Sequence, residues 1–221
     1  MSEVIPHRFE LSSRRGALGH LAKAVLIGSG LGSWIVQPAQ AGAQVEERMS
    51  HAVRTALSAA VANAAPPDPV LVTTADHQAY ADWLGDMSPL LGRFKSHPTE
   101  RQEFLQTLWY EARRAGLSLS LVLGLIQVES AFRKHAVSSA GALGYMQVMP
   151  FWPRSIGDGD ASRLFHMQTN LRFGCVILRH YLDREGGDLF MGLGRYNGSR
   201  GQAVYPDAVR LAQRRWLHAV D

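Results

Sequence analysis

The chain predicts a mostly α fold, one helical domain with at most a small hairpin, on three observations. Apolar residues recur at helical spacing in four stretches between residues 104 and 216. Strand character is confined to about residues 136 to 148, where serine and glycine break the helical pattern. The chain has 221 residues, 46% apolar and 19% charged, which suits one domain with a substantial core plus an extra segment. That balance excludes wholesale disorder and a polytopic membrane protein. The formal charge of +4 is spread without a polybasic block, too diffuse to point to nucleic acid.

Residues 1–41 read as a cleavable export signal. Arg14 and Arg15 follow Ser13, an uncharged apolar run extends from Ala24 to Val36, and Ala39-Gln40-Ala41 supplies small residues before a scission point. The run is too short to span a bilayer comfortably, so cleavage after Ala41 is expected ahead of a retained anchor. The paired arginines resemble a twin-arginine signal, with Lys23 leaving an ordinary Sec signal open. Cys175 is the only cysteine, which rules out an internal disulfide and a lipid-bearing cysteine at the cleavage site. The expected product is soluble and periplasmic.

Residues 42–75 read as an Ala/Pro-rich spacer or frayed helix, since Gln44 to Ala65 offers little apolar area and Pro66-Pro67-Asp68-Pro69 closes it. The working domain is then 76–221. A short helix is expected from about Asp76 to Leu91. Thr99 with Glu100 and Gln102 predicts a capped start to a helix striped by Phe104, Leu105, Leu108, Ala112 and Ala115 and stopped at Gly116. A second helix starts near Ser118 and is apolar nearly all round, as a buried helix is. Met149-Pro150 leads into a short helix. Leu171, Cys175, Leu178 and Leu182 mark another, for which Asn170 or a neighbour is the candidate cap. A helix from about Asp188 ends at Tyr196-Asn197-Gly198, and Tyr205, Ala208, Val209, Ala212 and Trp216 stripe the last one.

Glu129 stands out chemically. A glutamate closing a run of Leu, Val and Ile is desolvated, which raises its pKa and makes it a proton donor near neutral pH. The alternative is a glutamate paired with Arg133 or Lys134 at an exposed helix end. No His-Glu-x-x-His, cysteine pair, glycine-rich phosphate loop or Gly-x-Ser-x-Gly elbow occurs, so no cofactor or metal is expected.

Glu129-Ser130, then Ala140-Gly141-Ala142-Leu143-Gly144-Tyr145-Met146-Gln147-Val148-Met149-Pro150, then Tyr196-Asn197-Gly198 resemble, in order and separation, the motifs of the lytic transglycosylase family related to goose-type lysozymes. The resemblance covers roughly Leu105 to Val209. It implies a lysozyme-like α+β domain with the hairpin beside an active-site cleft, and peptidoglycan glycan strands as substrate. It further implies Glu129 as acid and base, and Ser138, Tyr145, Met146, Gln147, Tyr196 and Asn197 as substrate-binding residues. Tyr145 stands where the family more often has leucine, and Arg195 where alanine is common. The implied reaction cleaves the MurNAc-GlcNAc linkage with formation of 1,6-anhydromuramoyl ends. Such a monomer would serve wall remodelling or a secretion apparatus, with partners among those proteins. A water-using muramidase and a non-catalytic wall-binding module are the alternatives.

Several residues keep a structural reading at this level. Ser138 can close a turn, Gln147 can make a loop contact, Tyr196 can be a buried tyrosine with one internal partner, and the methionines and Cys175 can be core.

Overall fold

In the computed structural model, which describes residues 44–62, 73–218 and 220–221, α4 (Leu119–Ser130) is buried along nearly its whole length. Ser118 caps it, its hydroxyl accepting from the Leu121 amide at 3.1 Å. Leu119, Leu123, Leu125 and Ile126 are fully buried or nearly so, each contributing about 1.5–3 kcal/mol relative to exposure. The helix packs against α3 (Pro98–Arg114) and α8 (Val204–Gln213). Gly124 makes the second contact close: a Cβ there would stand 2.7 Å from the backbone nitrogen of Gln213. The short 3-10 turn Arg214–Trp216 comes next, with Trp216 in the core.

The start of α3 differs from expectation. Its first residue is Pro98, whose fixed φ presets the helix, and Thr99 lies inside it; His97 precedes the helix without a side-chain cap. Further along, Glu111 is buried and accepts from Arg172 on α6 (Met167–Arg184), whose Nε reaches Oε1 at 3.0 Å and Oε2 at 3.3 Å and whose Nη2 reaches Oε1 at 2.7 Å. This pair joins the two long helices through the core.

Residues 44–62, expected as a spacer or frayed helix, hold a packed helix. They include α1 (His51–Ala62), which packs on α5 (Phe151–Ile156) and α6, with Leu57 and Val61 in the core. Two apolar side chains on one face suffice because α1 seats on an already apolar surface. The Pro66-Pro69 segment and the export signal lie outside the described residues. α2 (Thr74–Leu91) forms where expected, held at its start by a capping box between Thr73 and Asp76.

No strand forms among the described residues. Two isolated antiparallel bridges, Val137 with Leu143 and Leu143 with Val148, take the place of the expected hairpin. The fold is therefore mostly α, with this small bridged loop as its extended element. α7 (Leu189–Asn197) begins at the Asp188 cap and ends at Gly198, whose φ of 80° only glycine adopts cheaply. No helix among the described residues is long and apolar enough to cross a membrane.

Candidate active site

Glu129 is the penultimate residue of α4, only 9% exposed. The tyrosine at position 205 donates its hydroxyl proton to Oε1 of Glu129 at 2.5 Å. Oε2 is buried and has no hydrogen-bond partner among the described residues. Burial pushes the Glu129 pKa up to about 8, and the Tyr205 hydrogen bond opposes that rise in part. The exposed salt bridge with Arg133 or Lys134 does not form: Arg133 instead donates through Nε to the Ser130 carbonyl at 3.0 Å. At neutral pH the carboxyl group is thus mostly protonated and able to give its proton away.

The chain leaves α4 through two left-handed non-glycine residues, Ala131 (φ 48°) and Phe132 (φ 60°). That conformation costs about 1–3 kcal/mol per residue and is held here by burial of the Phe132 ring against Phe94, Phe104 and Trp216. The sharp turn brings the loop 136–148 back across the helix end. Ser130 fastens it, its hydroxyl donating to the Tyr145 carbonyl at 2.7 Å.

Within the loop, Gln147 has a φ of 50°, and its side-chain amide nitrogen donates to the Ala136 carbonyl at 3.2 Å and the Gly144 carbonyl at 2.9 Å. Both amide protons are occupied by the loop, so Gln147 does not donate to Glu129. Ser138 closes the turn, accepting from the Ala142 amide at 3.0 Å. Met146 is fully buried against α6, where a Cβ at Gly174 would stand 2.3 Å from its sulfur. Tyr145 is buried too, packed on Phe104, its hydroxyl accepting from Lys95 Nζ at 2.8 Å. The extra ring and hydroxyl, compared with leucine, are thus turned toward the α2–α3 connection.

Tyr196 does not lie on an open cleft wall. It is fully buried, and its hydroxyl donates to the Met146 carbonyl at 2.7 Å. Asn197 is buried beside it and donates to the Ser199 hydroxyl at 2.8 Å. In the structure, then, Tyr145, Met146 and Tyr196 build the support behind the loop.

Two contributors to the site have other roles in the sequence expectations. Asn170, expected as a helix cap, is the fourth residue of α6 and fully buried; His166 occupies the cap position. Its Oδ1 accepts from the Met146 amide at 2.8 Å, and its Nδ2 donates to the Leu143 carbonyl at 2.9 Å and the Leu164 carbonyl at 2.8 Å. Tyr205 is visible in the sequence only as a member of the last apolar stripe. The usable signal is its hydroxyl, since a buried tyrosine needs an acceptor and Glu129 is the buried acceptor lacking a partner. No group of three or more His, Cys, Asp or Glu able to hold a metal occurs among the described residues.

Residues 107–209 match the family model described as the transglycosylase SLT domain. The chain is 33% identical over 101 residues to the transglycosylase of Enterobacteria phage PRD1, covering 46% of this chain and 37% of that protein. It is 36% identical over 85 residues to the membrane-bound lytic murein transglycosylase C of Actinobacillus pleuropneumoniae serotype 5b, covering 35% of this chain and 23% of that protein. Among solved structures, an inactive mutant of the lytic transglycosylase Slt from Pseudomonas aeruginosa is 26% identical, with a TM-score of 0.41, covering 66% of this chain and 23% of that chain. The chain thus spans well under half the length of these curated relatives. The residues that match the transglycosylase SLT domain, 107–209, hold Glu129, the bridged loop, Asn170 and Tyr205, so the similarity to lytic transglycosylases falls on this part of the chain.

Proposed function

We propose that the protein is a peptidoglycan lytic transglycosylase that uses Glu129 as its single acid and base. The observation that carries this reading is the carboxyl group itself, buried at the end of an apolar helix with a pKa of about 8 and one oxygen unpartnered. Such a group is a proton donor at the pH where a cell wall is remodelled. The two causes of its shift are burial and Tyr205. A second carboxylate of the kind placed about 5–9.5 Å away in two-carboxyl glycosidases is not among them.

In the proposed reaction Glu129 protonates the oxygen linking N-acetylmuramic acid to N-acetylglucosamine, and the C1–O bond breaks. The substrate's N-acetyl oxygen supports C1. The carboxylate left on Glu129 then takes the proton of the C6 hydroxyl, whose oxygen bonds to C1 and closes a 1,6-anhydro ring. Water is not consumed, and the glutamic acid is regenerated. Gln147, with both amide protons tied to the loop, presents its carbonyl oxygen to a donor on the sugar, and Ser138 and Asn197 complete the proposed contacts.

A cell-envelope location accompanies this reading, as the name of the membrane-bound murein transglycosylase relatives suggests. The finer proposal is a periplasmic enzyme exported by residues 1–41 and cleaved after Ala41, acting on glycan strands beside wall-synthesis or secretion-apparatus proteins.

The test is digestion of purified sacculi by the parent and by Glu129→Gln, with mass spectrometry of the released fragments. Anhydro ends from the parent, and a fall of at least about 100-fold in the variant, are expected. Ends heavier by one water would identify a muramidase instead. Equal release by both proteins would remove Glu129 from the reaction.

A further inference from the structure

A cavity of about 440 Å³ opens beside the active-site loop, lined by Lys95, Glu100, Glu103, Lys134, His135 and Tyr145. Lys95 stands in the connection between α2 and α3, its carbonyl accepting from Arg101 Nη1 at 2.9 Å. Its side chain is half-buried, with Nζ 5.5 Å from the centre of the Phe104 ring, and donates to the Tyr145 hydroxyl at 2.8 Å. An ammonium group has three protons, so two remain for a ligand. Glu100 and Glu103 are three residues apart on α3 and share one face of it. Lys134 and His135 follow the turn that leaves α4.

Charges of both signs thus face one space, yet among the described residues no salt bridge joins Lys95 or Lys134 to Glu100 or Glu103. Burial lowers the Lys95 pKa, Glu100 opposes the fall and Lys134 adds to it, so the two ammonium groups repel each other across the cavity. An anion between them offsets that repulsion, and a cation does the same for the two carboxylates on α3. The cavity is therefore complementary to a zwitterion, whereas a ligand of a single sign leaves one half unmet.

The cavity wall is joined to the catalytic end of α4. The Tyr145 carbonyl accepts from the Ser130 hydroxyl at 2.7 Å, and Ser130 follows Glu129 in the helix. Lys134 is five residues beyond Glu129, a separation of at most about 18 Å. Peptidoglycan offers a zwitterion over a comparable span: its peptide stems hang from the muramic acid, and where the third residue is diaminopimelate the side chain ends in an ammonium and a carboxylate on one carbon.

We propose that this cavity is a subsite for the peptide stem, with the carboxylate at the end of a diaminopimelate side chain between Lys95 and Lys134 and its ammonium against Glu100 and Glu103. The stem as source of the zwitterion rests on the transglycosylase reading; the preference of the cavity for a zwitterion does not.

The test is an NMR titration of the full chain with L-alanyl-γ-D-glutamyl-diaminopimelate and with the same tripeptide ending in L-lysine, which lacks only the terminal carboxylate of the side chain. Expected is binding of the first about tenfold tighter than of the second, with amide shifts in residues 95–103 and 134–145. Lys134→Met lowers the affinity for the first by about fivefold without weakening the second, whereas Glu103→Gln weakens both alike. Both side chains are exposed, so neither substitution disturbs the core. On sacculi Lys134→Met releases fragments more slowly than the parent, and on glycan stripped of its peptides by an amidase the two rates are equal. No binding, equal affinity for the two peptides, shifts elsewhere on the protein, or a Lys134→Met variant that keeps the parental preference would overturn the proposal. Glycan release absent from the parent would remove the transglycosylase reading instead, with the tripeptide titration still deciding the cavity.

Discussion

Tyr205 places its hydroxyl 2.5 Å from Oε1 of Glu129 across 76 residues of sequence. The contact has two opposed effects. It orients the carboxyl group, and it steadies the charged form that burial disfavours.

The pH profile of kcat should therefore have an alkaline limb near 8, where the Glu129 proton is lost. Tyr205→Phe removes the donor that lowers this pKa, so the limb moves to higher pH. Turnover at pH 6 falls at the same time by roughly tenfold, since the hydrogen bond that holds the protonated acid in place is gone. A limb that moves down, or stays where it was, would contradict this account of the pair.

Stability should carry the same signature. The Glu129 carboxyl binds its proton more tightly folded than unfolded, so between about pH 4.5 and 8 the unfolded state holds fewer protons and stability falls as pH rises. The contribution is complete below 4.5 and lost above 8. Glu129→Gln has no such proton to lose. Urea unfolding of the two proteins at pH 5, 7 and 9 should show the variant gaining on the parent across that window, by up to about tenfold in the folding equilibrium per pH unit.

Asn170 offers a third test. Asn170→Ala deletes three hydrogen bonds and strands the Met146 amide and the Leu164 carbonyl, while the Leu143 carbonyl keeps the Val148 amide, for a cost of about 2 kcal/mol or more. Thermal denaturation and sacculus turnover should fall together. Retention of the parental melting temperature would mean that the loop is held by other contacts.

The sequence is most readable where the deciding interactions are local. Ser118 and Asp188 cap helices through amides three residues away, and Gly198 ends α7 through its own backbone. The buried state of Glu129 is legible in the dozen residues before it. Asn170 misleads for the opposite reason: its partners lie 6 to 27 residues away, and asparagine near a helix start satisfies a local capping pattern equally well. Tyr196 and Tyr145 are expected against sugar, but a motif records that a residue is needed without recording which side of the loop it faces. α1 is legible only as a possible frayed helix, because Val53, Leu57 and Val61 stand among alanines that offer little apolar area, and its stability comes from the surface it covers.

The close approach of α8 to α4 at Gly124 makes the burial of Glu129 depend on a helix far along the chain. Until Tyr205 and the backbone of Gln213 dock, one side of α4 and the carboxyl of Glu129 remain open to water. A solvated glutamate has the ordinary acidity of its kind and is ionised at neutral pH. A chain broken before residue 205 therefore carries every earlier motif, yet leaves Glu129 without the contact that helps keep its carboxyl out of water.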